Sequence, residues 1–214
     1  MMGQRIILWR HGQTDWNIEN RFQGHSDIPL NDTGHRQVKK AAPLLKNLAP
    51  DRIISSDLIR AQQTAQALAD ICQLPVAIDA GLRETHGGKW EGKTGAQNRE
   101  EDFERFVNWL DGDDQPAGET GEKRSFIAQR AVSAIERALD NSINTLIVVT
   151  HGGTARCILG KMLDMPMNQW SAMGGLSNAS WSIIENGHHR DGWVLVEHNA
   201  GSLPEPIYGE ESGA

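Results

Sequence analysis

Thr145-Leu146-Ile147-Val148-Val149-Thr150-His151-Gly152-Gly153 is an apolar run that stops on a histidine and two glycines, and Ile6-Ile7-Leu8-Trp9-Arg10-His11-Gly12 does the same near the start of the chain. Short runs of this kind, β-branched and without alternation, are the pattern of strands buried on both faces of a parallel sheet. Working outward, β-rich segments alternate with helical ones. Residues 5–9, 52–55, 75–78 and 145–150 read as strands, and 33–48, 57–71, 100–110, 125–139 and 154–163 as helices. Pro43 is expected to kink the first helix, and Asp57 to cap the second. Residues 179–185 and 193–197 flank Asn186-Gly187 and read as an antiparallel hairpin. His151-Gly152-Gly153 reads as a turn, 82–95 as an irregular glycine-rich stretch and 111–121 as an acidic surface loop.

This order predicts an α/β fold, a three-layer αβα sandwich with a mainly parallel central sheet and an antiparallel edge. Residues 1–203 are expected to form one domain, with 98–124 a variable insertion near the pocket. Residues 204–214, with their Pro, Gly and Glu content, read as a disordered tail.

Composition narrows the functional classes. The chain has 214 residues, 38% of them hydrophobic and 23% charged. It contains no apolar run near the roughly 20 residues of a membrane helix, and its first residues lack the apolar core of a secretion signal. A cytoplasmic protein without membrane contact is expected. The net charge of −7 argues against a nucleic-acid partner, which would need a basic face. It does not argue against a small anion, since a few converging arginines can hold a phosphate inside an acidic protein. Cys72 and Cys157 show no metal-ligand spacing and read as reduced structural thiols. The adjacent His188-His189 pair lies in a loop, and no metal site is assigned to it.

In an open α/β sheet, ligands bind beyond the carboxyl ends of the strands. There the chain places Arg10 and His11 after the first strand, Arg60 in the first turn after the second, Glu84 after the third and His151 with Gly152 after the fourth. A lone histidine at a strand end is ordinarily structural, and a lone arginine or glutamate in a first turn is ordinarily a solvated charge. Convergence of all of them on one rim is what singles them out. Such a set can carry phosphoryl transfer through an imidazole. A neutral ring attacks phosphorus when its other nitrogen donates to a backbone carbonyl. Arg10, Arg60 and a protonated His151 can hold the phosphoryl oxygens. Glu84 can give a proton to the leaving oxygen and take one from the hydrolytic water. Surrounding cations oppose the protonated form that its first step needs, and burial favours it.

These residues resemble the histidine phosphatase superfamily, also called phosphoglycerate mutase-like. The resemblance runs from Leu8 to about Asn199 and rests on four ordered motifs. They are Arg10-His11-Gly12-Gln13-Thr14 with Asn17 and Gln23-Gly24; Ser55-Ser56 with Arg60-Ala61 and Thr64-Ala65; Leu82-Arg83-Glu84; and His151-Gly152-Gly153. It implies a cofactor-independent enzyme in which His11 accepts the phosphoryl group, Arg10, Arg60 and His151 form the phosphate pocket and Glu84 is the proton donor. Asn17 and Gln23 match positions that contact phosphate or substrate, with loop capping as the alternative.

The glycolytic mutases of the family carry Arg-His-Tyr after the catalytic glutamate. Here Glu84 is followed by Thr85-His86-Gly87-Gly88, which favours a phosphatase over a 2,3-bisphosphoglycerate-dependent mutase. The stretches from Leu82 to Gly92 and from Gly174 to Trp181 resemble the glucosyl-3-phosphoglycerate phosphatases. That likeness implies a small phosphate ester as partner, glucosylglycerate as product and a homodimer. An α-ribazole phosphate phosphatase and a non-catalytic phosphate-binding module are the alternatives. His86 is a candidate substrate contact, a structural hydrogen bond being the other reading. Gly118-Glu119-Thr120 stands where relatives have Gly-Gly-Glu-Ser, a departure beside the pocket. Trp90, Trp170 and Trp181 could stack on a sugar ring, but core packing is the expected role.

Overall fold

The computed structural model describes residues 3–187 and 191–201. The expected tail at 204–214 and the His188-His189 pair lie outside the described residues.

The sheet has the spatial order β3-β2-β4-β1-β5-β6. β1 (Arg5–Arg10), β2 (Arg52–Ser55), β3 (Val76–Ile78) and β4 (Thr145–Thr150) are parallel. β5 (Trp181–Glu185) and β6 (Val194–Ala200) extend the sheet antiparallel beyond β1. The helices are α1 (Asp15–Ile18), α2 (Asp32–Lys46), α3 (Ile59–Cys72), α4 (Gly95–Glu101), α5 (Phe103–Leu110), α6 (Arg124–Ala138) and α7 (Gly152–Met162).

Side chains alternate across a strand, and β1 shows how both faces are filled. Ile7 and Trp9 pack with Val38 and Leu45 of α2 and Ala65 and Leu68 of α3. Ile6 and Leu8 pack with Ala131 and Ile135 of α6 and Ile158 and Leu159 of α7. All four β1 side chains are fully buried, each large aliphatic contributing about 1.5–3 kcal/mol. Helices therefore cover the sheet on both faces, as the uninterrupted apolar runs require.

Adjacent β1 and β4 are in register from Arg5 opposite Thr145 to Arg10 opposite Thr150. His11 and His151 thus leave the sheet side by side. The chain from β1 goes to the α2 face and the chain from β4 to the α7 face, so the two histidines stand where successive connections part, the usual place for a ligand in such sheets.

Several expectations are corrected. The helix expected at 100–110 is two helices, broken at Asp102, whose backbone (φ −145°, ψ 50°) is not helical. The stretch at 82–95 is bordered and crossed by 3-10 turns, Ala80–Leu82 and Gly88–Trp90. Asp57 does not cap α3: the cap position is Leu58, without a side-chain hydrogen bond, because the Asp57 carboxylate is engaged by Arg83 at 2.8 and 2.5 Å. Gly152 and Gly153 are not a turn but the first residues of α7, a difference that matters at the site.

The segment between the third and fourth strands has its own apolar cluster of Phe22, Trp90, Phe106, Trp109 and Ala117. Trp90 meets Phe106 and Trp109 edge to face at 5.2 and 5.5 Å, and the Arg124 guanidinium lies 4.1 Å above the Trp109 ring. This cluster seats the 98–124 segment against Phe22, in the connection that follows β1. Trp90, Trp170 and Trp181 are all buried in apolar clusters, the packing role expected of them.

Candidate active site

His11 is buried, with 2% of its surface exposed. Its Nδ1 lies 2.7 Å from the carbonyl oxygen of Gly12. A carbonyl only accepts, so Nδ1 carries the proton and, on a neutral ring, Nε2 is the nitrogen with a lone pair. The ring is neutral at ordinary pH: burial, then the charges of Arg60 and Arg10, push its pKa well below 6.5. Gly12 itself is required by packing, since a Cβ there would stand 2.7 Å from the Gly34 carbonyl oxygen of α2.

His151 sits beside it, ring centroids 5.2 Å apart. Arg60 Nε–H donates to its Nδ1 at 3.2 Å, and its Nε2 lies 2.9 Å from Ser56 Oγ. A nitrogen that accepts from a guanidinium bears no proton. His151 is therefore the neutral Nε2–H tautomer, its pKa held well below 6.5 by burial and then by Arg60. The expectation of a protonated His151 is corrected: two guanidiniums in the same buried space leave no room for a third cation.

Arg60 is fully buried in the first turn of α3, and its Nη1 and Nη2 donate to the carbonyls of Ser26 and Gly24, both at 2.8 Å. Arg10 Nη1 donates to the Leu176 carbonyl at 2.5 Å, while its buried Nε has no hydrogen-bond partner. Gly152 lies next to this guanidinium, its notional Cβ 3.5 Å from Arg10 Cζ.

Glu84 is 5% exposed, and its carboxylate lies against the N-terminus of α7. Oε2 accepts from Gly153 N–H at 3.1 Å. Oε1 accepts from Thr154 N–H at 3.1 Å and Thr85 N–H at 2.8 Å, while the single Thr154 hydroxyl proton goes to Arg83 O at 2.7 Å. A helix N-terminus suits an anionic group, and here it orients the carboxylate. Because His151 is the cap residue of the same helix, one helix start serves both groups.

Asn17 and Gln23 are both hydrogen-bonded to Thr14, three residues after His11. Asn17 completes a capping box with Thr14, and its Oδ1 also accepts from Asn178 Nδ2 at 3.2 Å. The capping role is the one seen, made by the amide oxygen, while the buried amide nitrogen has no partner. Gln23 Oε1 accepts from Thr14 Oγ1 at 3.0 Å. His86 stands apart from this group. It packs edge to face on His25 at 5.0 Å, with Nε2 3.8 Å from Glu91 and about two fifths of its side chain exposed. It lies at the rim.

Ser56 and Asn178 stand in the motifs quoted from the sequence but carry no role there, and Thr154, Glu122 and Arg130 are not among the candidates. Thr154 carried a signal, standing three residues after His151. Gly118-Glu119-Thr120 was singled out beside the pocket, yet Glu119 is an exposed partner of Lys89. Glu122 is the inward carboxylate, accepting from His86 N–H at 2.9 Å and from Arg130. Among the described residues no group of three or more His, Cys, Asp or Glu is placed to hold a metal ion.

A mainly parallel sheet whose carboxyl end gathers two neutral imidazoles, two buried arginines and one buried carboxylate defines a protein built to hold and react with a phosphoryl group. The chain belongs to the histidine phosphatase superfamily (branch 1), whose sequence profile matches residues 6–201, and it is a phosphatase. It is 35% identical over 200 residues to a glucosyl-3-phosphoglycerate phosphatase of Mycolicibacterium vanbaalenii, covering 90% of this chain and 88% of that one. It is also 35% identical over 202 residues to a metal-independent phosphoserine phosphatase of Arabidopsis thaliana, covering 90% and 82%. The solved structure of a mycobacterial glucosyl-3-phosphoglycerate phosphatase complexed with VO3 superposes with a TM-score of 0.83 at 36% identity, covering 92% of this chain and 99% of that one. No described helix is long and apolar enough to cross a membrane.

Proposed function

We propose that the protein hydrolyses a small anionic phosphate monoester through a phosphohistidine at His11, with glucosyl-3-phosphoglycerate as substrate and glucosylglycerate as product. The observation that carries this reading is the Nδ1–H to Gly12 carbonyl bond, which fixes the tautomer and turns the lone pair to Nε2.

His11 Nε2 attacks phosphorus as the ester P–O bond breaks. Arg10 and Arg60 hold the phosphoryl oxygens, joined by His151 once its Nε2–H turns from Ser56 Oγ to the phosphoryl group, and the unpartnered Arg10 Nε and Asn17 Nδ2 supply further donors. Glu84 enters this step protonated, the charge of the incoming phosphate offsetting the anion-favouring N–H groups of α7, and gives its proton to the departing oxygen. Water then attacks the phosphohistidine and loses a proton to Glu84, restoring both groups. The substrate assignment is supported by the likeness to the mycobacterial enzymes. A second reading, phosphoserine as substrate, is supported by the equal identity to the plant enzyme.

The test compares kcat/KM for glucosyl-3-phosphoglycerate, mannosyl-3-phosphoglycerate, 3-phosphoglycerate and phosphoserine, with and without EDTA. The reading expects the first to lead by about ten-fold or more, the size of one or two buried polar contacts, and EDTA to change nothing. Comparable rates on all four reject the substrate, a lead for phosphoserine selects the second reading, and loss of turnover in EDTA rejects the metal-free mechanism.

A further inference from the structure

We infer that Arg130, in the middle of α6, is a positioning residue for the proton donor, fixing the backbone of Glu84 so that its carboxyl meets the leaving oxygen. This rests on the role proposed for Glu84.

After the third strand the chain leaves the sheet, and the carbonyls of Gly81, Arg83 and Glu84 lose their ladder partners. Carbonyls drawn away from water need donors, and one guanidinium reaches all three, with Thr154 Oγ1–H also donating to Arg83 O at 2.7 Å. Arg130 Nη1 donates to Gly81 O at 2.7 Å and Arg83 O at 2.8 Å, and Nη2 donates to Glu84 O at 2.9 Å. The same guanidinium grips Glu122 with Nε at 2.9 Å and Nη2 at 2.8 Å. Burial raises the Glu122 pKa, but the Arg130 fork outweighs it and holds the carboxyl below its ordinary value. Glu122 stays charged and the grip stays on.

A second donor reaches the same point. His25 Nε2 lies 3.0 Å from Glu84 O, so the carbonyl of the acid is held from two sides while its carboxylate is held by α7. Glu84 is thereby fixed at both ends. Arg130 touches neither carboxylate oxygen, so its action on catalysis is through the main chain. Lysine cannot replace it, because a point charge has no planar fork to span three carbonyls and a carboxylate.

The position of a proton donor matters only when the leaving group needs a proton, and this separates positioning from general structure. Steady-state kcat/KM, which in a two-step mechanism stops at formation of the phosphohistidine, is measured for an alkyl phosphate and for 4-nitrophenyl phosphate, whose leaving group departs as an anion. The proteins are wild type, Arg130→Gln, Arg130→Lys, Glu122→Gln and Glu84→Gln. Expected for the Arg130 variants is a loss of about ten-fold or more on the alkyl ester and less than about three-fold on the aryl ester, a part of the roughly 10²–10⁴-fold that a positioned acid contributes. Glu84→Gln should show the same bias more strongly, and Glu122→Gln more weakly. Equal loss on both esters in the Arg130 variants, with the bias intact in Glu84→Gln, overturns the positioning role alone. Absence of bias in Glu84→Gln overturns the acid role and the inference with it. Should Arg130→Gln fail to fold, Arg130→Lys and Glu122→Gln carry the comparison with the same criteria.

Discussion

The two halves of the pocket are held by different means. Arg10 ends β1, and His11 and His151 directly follow strands paired residue for residue in the sheet, while Arg60 opens a helix packed on it. Many backbone bonds share the task of placing them. Glu84 and the residues around it follow 3-10 turns and loops, held by a few side chains such as Arg130, Glu122 and Glu91. The phosphate end is consequently hard to shift and easy to abolish. On the mechanism proposed here, the leaving-group end is where a single substitution is expected to change what the enzyme accepts, in keeping with the general role of loops on a rigid scaffold.

The largest effect is expected at the phosphate end. His11→Ala should lower kcat by roughly 10⁴-fold or more, the scale on which a covalent nucleophile is lost, while circular dichroism and the melting temperature stay near wild type. Equal turnover in the variant would end the phosphohistidine mechanism.

At the other end, Trp90→Ala removes the centre of the aromatic cluster and should destabilise the fold by about 3–5 kcal/mol. Urea denaturation measures this. Inhibition by inorganic phosphate should survive while KM for the ester rises. If phosphate inhibition weakens as much as ester binding, the two halves are not separable.

Acidity probes the buried histidines. His11 and His151 bind protons below about pH 6.5 in the unfolded chain but not in the fold, where burial and then Arg60 hold their pKa values well below it. Their contribution to stability is whole above about pH 6.5 and is lost as pH falls below it, by about 1 kcal/mol per pH unit for each. Denaturation at pH 7.5, 6 and 5 should show this slope, and His151→Asn should flatten it. An unchanged slope in that variant would place the acid sensitivity elsewhere.

The smallest effect is expected on the surface. Glu119→Gln removes only the exposed partner of Lys89 and should leave melting and kcat/KM unchanged, in contrast to Glu122→Gln. Equal effects from the two would contradict the assignment of Glu122 as the inward carboxylate.

The strand ends were legible because an apolar run of four or five residues fixes a buried parallel strand, and Arg10, His11 and His151 are adjacent to such runs in the chain. Other features depend on partners far along the sequence. Asp57 reads as a helix cap until Arg83 claims its carboxylate. Arg130 reads as a solvated charge on a helix, and nothing local says that its tip reaches the chain leaving β3. The charge state of His151 depends on the direction of one N–H of Arg60, which composition cannot convey. The double glycine after His151 suggested a turn, whereas those residues open a helix whose exposed N–H groups Glu84 occupies.

The bond between His11 and the carbonyl of its own neighbour has a stereochemical consequence. With Nδ1 tied 2.7 Å from Gly12 O, a phosphoryl group can be accepted only on the nitrogen remote from the main chain. The adduct proposed at His11 is then the tele isomer, and the pros isomer is excluded by one backbone oxygen.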